Sequence, residues 1–228
     1  IPVFNEALNI KDTLDSVRKN NFGVDKFLFV DSGSTDESGF YLNESEFDVL
    51  TLKKNKGIGY VLIKGIEYCI KNNFDVITVI HGGNKMDTSD FKNILSPVLY
   101  DGYECVWGSR FIYDTSINMP KFRKITGKFL SNLVSIFYKT KVTDATNGFR
   151  AYKLDLILDI LPKFDRKWLY GYAFEGFLFG KMLNKKNIKK IEVPVTIKYN
   201  EGKVNTKIKP IINYSSIFLP YFLAKFIK

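Results

Sequence analysis

"DVITVIHGGNKMD", residues 75–87, decides how the chain is read. Its first half is a short apolar run rich in β-branched residues, the pattern of a strand buried on both faces. Its second half is a glycine-containing polar turn that begins at His81. In an open α/β sheet, ligands sit outside the carboxyl ends of the strands, so this turn is where binding and catalytic groups are expected. It holds no carboxylate before Asp87.

The same rhythm extends on both sides of it. "IPVF" at the start reads as the end of a strand whose beginning lies ahead of residue 1, and Leu8, Ile10, Leu14 and Val17 space out a helix after it. "KFLFV" (26–30), "FDVLTL" (47–52) and "YECVW" (103–107) are further strands, and residues 58–73 form a second helix. Alternating β and α units predict an α/β fold: a Rossmann-like, mostly parallel sheet flanked by helices. From about residue 110 the segments become longer, more amphipathic and more basic, until "IEVPVTIKY" (191–199) reads as one more strand. No linker divides the two parts, so residues 1–228 are read as a single domain. Its first half is 1–110, its smaller acceptor-side region is 111–209, and 210–228 is either a membrane-associated or a packing helix.

Composition narrows the partners. Hydrophobic residues make up 45% of the chain, which excludes disorder. Lys and Arg outnumber Asp and Glu by 34 to 24, a formal charge of +10 that asks for an anionic partner. Nucleic acid, a phosphate-rich ligand and an anionic membrane surface all satisfy it, but no nucleic-acid recognition motif accompanies the charge, so nucleic acid is set aside. Cys69 and Cys105 stand far apart in apolar segments, as free core thiols in a reducing compartment would. His81, the single histidine, excludes a His-rich metal cage. No signal peptide opens the chain and no run of about 18 apolar residues crosses a membrane. The aromatic tail "IINYSSIFLPYFLAKFIK", with Lys225 and Lys228 at its tip, suits a membrane surface or a packing helix equally.

Each strand end carries a polar turn: "FNE" (4–6), "DSGSTD" (31–36), "NKGIG" (55–59), "HGGNK" (81–85) and "GSR" (108–110). Neither the dinucleotide fingerprint nor the P-loop spacing occurs among them, which disfavours hydride transfer and ATP hydrolysis by the usual routes. "IPVFNE", "VDSGSTD", "NKGIGYVLIKGI", "GSRF", "VTDATNGFRAYK" and "IEVPV", in that order, resemble the inverting family 2 glycosyltransferases of GT-A fold, in particular the dolichol-phosphate mannosyltransferase-like branch. The resemblance covers nearly the whole chain. It implies transfer of a hexose from a UDP- or GDP-linked sugar to a polyprenyl phosphate or a membrane-associated glycan, at the cytoplasmic face of a membrane, with 1–110 as the nucleotide-sugar-binding half.

Carried over residue by residue, the resemblance makes Pro2, Glu6 and Asp31 nucleotide-binding candidates, because carboxylates accept hydrogen bonds from a base or a ribose. Asn55 and Gly57 match the turn that approaches the donor, where glycine lets the backbone come close to a phosphate or sugar. Arg110 is implied to face the leaving diphosphate and Arg123, Lys124 and Arg150 an acceptor phosphate, since a guanidinium can grip two oxygens at once. Asp144 is implied to lie near the acceptor, where it could take a proton from a hydroxyl. A phosphate acceptor is already an anion and needs no such base. Asp36 is expected to cap a helix, and Glu175 and Glu192 to be structural.

The family pattern breaks at the opening stretch. Where Asp-x-Asp and a following Gln would hold Mg²⁺ or Mn²⁺, this chain has His81, Gly83 and Lys85. Hard divalent cations prefer oxygen ligands, so the family's metal lacks its ligands here and no cofactor is assigned. Three readings compete. Lys85, helped by Arg110, takes over the cation's electrostatic work, with His81 and Gly83 left to bind the donor. Alternatively the chain is a non-catalytic relative that binds a nucleotide or lipid phosphate. In the third, Asp87 or Asp90 reaches in to ligate a metal, although "DTSD" is also an ordinary helix start.

Overall fold

The computed structural model describes residues 1–199 and 210–227. The end of the predicted acceptor-side region, 200–209, and the tail residue Lys228 lie outside the described residues. In chain order, β1 (Pro2–Val3), α1 (Ile10–Lys19), β2 (Leu28–Asp31), α2 (Ser38–Asn43), β3 (Asp48–Thr51) and α3 (Ile58–Lys71) build a parallel sheet of order β1-β2-β3. β4 (Val76–Val79), α4 (Phe91–Tyr100), β5 (Cys105–Ser109), β6 (Ser116–Ile117), α5 (Lys121–Tyr138), β7 (Arg150–Lys153), α6 (Asp155–Leu158), α7 (Ala173–Asn184), β8 (Lys190–Pro194), β9 (Ile197–Lys198) and α8 (Pro210–Phe226) follow. A second sheet has the order β4-β7-β5-β8. In it β5 and β8 run parallel, and β7 runs antiparallel to both its neighbours. The two sheets meet where Gly82 N–H donates to the Pro2 carbonyl, 3.1 Å away.

The expected mixed α/β architecture, mostly parallel with helices on both faces, is the one observed. Alternation along the strands creates the two faces. Cys105, Trp107 and Tyr152 point into one apolar cluster with Leu130, Val134, Phe174, Phe177 and Met182. Val106 and Ala151, one residue out of phase, point into the other with Ile10, Leu14, Phe29, Phe91 and Phe149. α1 reaches that second cluster through Ile10, Leu14 and Val17, the spacing read from the sequence, and Asp12 at its start and Arg18 and Lys19 at its end complement its dipole. Phe91 and Phe149 meet edge to face at 5.6 Å, and truncating either to Ala would cost about 3–5 kcal/mol.

The tail is a packing helix along one side. α8 lies against α7, with Tyr221 and Ala224 buried and the Tyr221 hydroxyl donating to the Ala145 carbonyl at 2.6 Å. Among the described residues no helix is long and apolar enough to cross a membrane.

Candidate functional site

The polar turns converge as the topology requires. A cleft of about 610 Å³ opens at the junction of the two sheets, in the size range of small-molecule sites. Pro2, Glu6, Ser32, Asn55, Gly57, His81, Gly83, Lys85, Arg110 and Arg123 are among its walls. A second cavity of about 350 Å³ lies between β2 and β4 with walls such as Val30, Leu62, Val76 and Phe91, and of the predicted site residues it holds only Pro2.

The turn after β4 is strapped in place from outside. Lys198 N–H donates to the Lys85 carbonyl at 2.8 Å, and Met86 bridges to Ile197. His81 at the head of the turn faces Glu175 of α7, Nε2 to Oε1 3.6 Å. Burial pushes the Glu175 carboxyl up, but His81 and the Arg150 charge outweigh it and hold it below its ordinary value. Gly148 makes that approach feasible: a Cβ there would stand 2.6 Å from Glu175 Oε1 and 2.7 Å from His81 Nε2. Glu175, expected to be mainly structural, is also a wall of the cleft. Its position depends on α7 folding back over the sheet, which no local pattern records.

Two guanidinium groups of the cleft, those of Arg110 and Arg123, both touch Tyr199. Arg110 donates to Asp144 through Nε (2.6 Å) and Nη2 (2.7 Å), to the Thr146 hydroxyl through Nη2 (2.6 Å), and to the Tyr199 hydroxyl through Nη1 (2.5 Å). A guanidinium has five N–H groups, so these bonds leave one for a ligand. Arg123 lies with its Cζ 5.3 Å from the centre of the Tyr199 ring, so Tyr199 joins the two cations. That tyrosine was not singled out in the sequence. Asn147 was not either: it lines the cleft, is 3% exposed, accepts from Phe149 N–H, and leaves its Nδ2 donor without a protein partner.

Several of the expected site residues are held in internal contacts, some of them away from the cleft. Asp144 is fully buried and its oxygens are taken by Arg110 and Thr146, so no acceptor hydroxyl reaches it as a base. Arg150 is buried under α7, with Nη2 on the Ala145 carbonyl (2.5 Å), Nη1 on the Glu175 carbonyl (3.1 Å) and its Cζ 4.1 Å from the centre of the Phe179 ring, so its donors face the protein interior. Lys124 pairs with Asp114 at 2.6 Å and is not among the cleft walls. Asp31 is buried, holds Ser34 through its backbone N–H (3.0 Å) and hydroxyl (2.6 Å), and is likewise not a cleft wall. Gly57 does line the cleft, but its φ of 108° and the Tyr170 carbonyl, 2.5 Å from where a Cβ would be, require the glycine for packing. Asn55 accepts from Gly57 N–H (2.7 Å) and the Ser32 hydroxyl (3.2 Å), and so shapes this turn.

The remaining acidic groups fall into structural roles. Asp36 accepts Ser38 N–H at the start of α2. Asp87 caps the turn Thr88–Asp90 through Ser89 N–H, and Asp90 accepts Thr196 N–H at 2.6 Å. Glu192 accepts the N–H groups of Thr143 and Asp144, as a structural residue should. Among the described residues no group of three His, Cys, Asp or Glu side chains could hold a metal ion. At the place where the family holds Mg²⁺ or Mn²⁺ the side chains are an imidazole, a hydrogen and an ammonium, a donor set that does not fit a hard divalent cation.

Against known proteins, the family model for Glycosyl transferase family 2 matches residues 1–161. The chain is 27% identical over 219 residues to a UDP-N-acetylglucosamine–dolichyl-phosphate N-acetylglucosaminyltransferase of Methanococcus voltae, across 88% of this chain and 85% of that one. It is 26% identical over 203 residues to an undecaprenyl-phosphate mannosyltransferase of Micrococcus luteus, across 86% and 81%. The fold matches glucosyl-3-phosphoglycerate synthase from Mycobacterium tuberculosis, solved with Mn²⁺, UDP-glucose and phosphoglyceric acid, with a TM-score of 0.69 at 16% identity, over 100% of this chain and 78% of that one.

Proposed function

Because the chain belongs to glycosyl transferase family 2, we propose that it moves a hexose from a UDP- or GDP-linked sugar to a polyprenyl phosphate, with inversion, in the manner of the dolichol-phosphate mannosyltransferase-like branch. The observation that carries this reading is the cationic wall of the cleft: Lys85 on one element, and Arg110 and Arg123 joined through Tyr199 on others. An acceptor phosphate and a departing diphosphate are both anions, and fixed cations in a partly dry cleft stabilise the charge that develops between them. The two curated relatives act, by name, on dolichyl phosphate and undecaprenyl phosphate, which supports a lipid phosphate as acceptor.

In this reading an acceptor phosphate oxygen attacks the anomeric carbon from the face opposite the diphosphate. The bond from that carbon to the diphosphate oxygen breaks, its electron pair leaving with the nucleotide. No proton is abstracted, which fits the locked state of Asp144. Pro2, Glu6 and Ser32 would hold the nucleoside end, Lys85 the diphosphate, Arg123 the acceptor phosphate, and Asn147, Glu175 and His81 the sugar hydroxyls. Arg110 would offer its one remaining N–H and position Tyr199. Both cysteines are free thiols, in keeping with a site at the cytoplasmic face of a membrane.

The test is transfer of radiolabelled sugar from UDP- and GDP-sugars to polyprenyl phosphate, with EDTA and with Mn²⁺, for the wild type and Lys85→Ala. Turnover that survives EDTA and falls by about 10²–10³ in Lys85→Ala supports the reading. Turnover that requires Mn²⁺ removes Lys85 from the cation's role. Nucleotide binding without turnover for any donor would favour the second reading, a non-catalytic scaffold or regulator, which the loss of the metal-binding carboxylates supports.

A further inference from the structure

Tyr199 carries a hydroxyl that its protein partners leave half used. Arg110 Nη1 donates to its oxygen at 2.5 Å, and the phenol's own proton has no acceptor among the described residues. The Thr146 hydroxyl shows the contrast. It takes the same kind of bond from Arg110 Nη2, at 2.6 Å, and passes its proton to Asp144 at 3.1 Å. A hydroxyl that accepts from a guanidinium is polarised toward donation, and on a cleft wall it donates to what the cleft holds.

The donors around that proton are grouped. Arg110 spends its Nε hydrogen and both hydrogens of Nη2 on Asp144 and Thr146, so its one remaining N–H is on Nη1, the nitrogen bonded to Tyr199. That N–H and the phenol O–H start from atoms 2.5 Å apart and reach oxygens of one group. Arg123, its Cζ 5.3 Å from the centre of the Tyr199 ring, brings the charge. Asp144 neutralises Arg110, whereas no carboxylate pairs with Arg123 among the described residues. Three donor groups with one unanswered positive charge suit a tetrahedral anion with free oxygens, and a neutral hydroxyl would leave that charge unmet.

We infer that Tyr199 contacts the substrate: its phenol O–H, with the free N–H of Arg110 and the Arg123 guanidinium, seats a phosphate monoester, the acceptor of the transfer. The acceptor's identity rests on the reading above, but the seat itself requires no turnover. The chain places Tyr199 directly after β9, where Ile197 bridges to Met86 and Lys198 holds the Lys85 carbonyl. One short segment thus fixes both the turn that carries Lys85 and the phenol. With Lys85 on the diphosphate, the anion at Tyr199 is the second phosphate of the reaction.

Titration calorimetry of the full chain with geranyl phosphate, a soluble prenyl monophosphate, tests the seat. The wild type should bind it, bind geraniol far more weakly, and bind inorganic phosphate more weakly for want of an apolar chain. Tyr199→Phe keeps the ring beside Arg123 and removes only the hydroxyl, and thermal melting should show it folded. It should weaken geranyl phosphate about ten- to a hundredfold and leave the binding of UDP and GDP unchanged. In transfer assays the KM for the acceptor should rise by the same factor while the KM for the donor stays. A hydroxyl that served only to hold Arg110 would behave differently: its removal would free a second N–H on Nη1, and the phosphate would bind as well or better. Geranyl phosphate bound equally by Tyr199→Phe and the wild type, a matching loss of UDP or GDP affinity, or no binding by the wild type would each overturn the inference. Inorganic phosphate bound as tightly as geranyl phosphate would give the seat to a free phosphate and overturn it too. The expected losses in binding, without transfer of any sugar, would sink the proposed function and leave the seat standing.

Discussion

His81 Nε2 stands 3.6 Å from Glu175 Oε1, with Gly148 packed against both. The turn after β4 carries no acidic side chain before Asp87, and the carboxylates that face it come from other elements, Glu175 of α7 toward His81 and Glu6 toward Gly83. The imidazole and the carboxylate, 3.6 Å apart, form a polar pair that closes no hydrogen bond of its own and is suited to sugar hydroxyls. It does not make the oxygen cage that a hard cation needs.

Glu175 ties this pair to pH. Its carboxyl is held below its ordinary value in the folded chain, so its contribution to stability is complete above the unfolded value, 4.5, and is lost as pH falls through the lower folded one. Glu175→Gln should melt below the wild type at neutral pH, and the gap should close as the pH drops below about 4. Melting curves of both proteins across that range check it. A gap that stays constant would mean the carboxylate carries no net charge stabilisation.

Asp144 and Arg110 form a buried pair at 2.6 Å, with side chains 0 and 4% exposed. Removing one partner leaves the other charge stranded, so Asp144→Asn should cost about 3–5 kcal/mol in urea unfolding, while Arg110→Met/Asp144→Leu should recover most of that loss. A catalytic base would behave differently, losing turnover with little change in stability. Unchanged stability in Asp144→Asn would restore the sequence reading.

β2 and β5 were legible as apolar runs because burial on both faces writes itself into consecutive residues, and β3 and β4, though only half-buried, carry similar runs bounded by turn residues. β7 was not: "RAYK" has no such run, and it becomes a strand by inserting antiparallel between β4 and β5, a pairing with partners over 40 residues away. Cleft walls on strand ends, such as Glu6, His81 and Lys85, followed from topology alone. Asn147, Glu175 and Tyr199 did not, since each is delivered by a segment whose position is set by long-range packing. Arg150 looked like a ligand arginine because nothing local marks a guanidinium for burial.

Gly83 offers a test of the missing cation. A Cβ at this position would lie 3.4 to 3.6 Å from the Glu6 carboxylate. Gly83→Asp would therefore set two carboxylates side by side, which is unfavourable unless a cation stands between them. The variant should melt lower than the wild type in EDTA and recover when Mn²⁺ is added, whereas the wild type should be indifferent to Mn²⁺. Thermal melting with and without the ion reads this directly. A wild type stabilised by Mn²⁺ would reveal a metal site built from other groups.

Gly180 decides whether the tail belongs to the core. A Cβ there would stand 2.7 Å from Ala224 Cβ and 2.8 Å from both the Tyr138 hydroxyl and the Tyr221 carbonyl, and Gly176 is pressed on the Tyr221 ring in the same way. α7 thus offers two small residues one turn apart to α8, and the backbones approach closely through them. Helix propensity alone favours Val over Gly by a few tenths of a kcal/mol. Overpacking against α8 works against it and should dominate, because two of the three contacts are backbone or Cβ atoms that cannot rotate away. Gly180→Val should therefore destabilise the protein by about 1–3 kcal/mol in urea unfolding. If α8 instead left α7 to lie in the bilayer, the space beside Gly180 would be empty and the valine would be neutral or slightly stabilising. The sign of the change thus separates a tail that completes the core from one that deserts it.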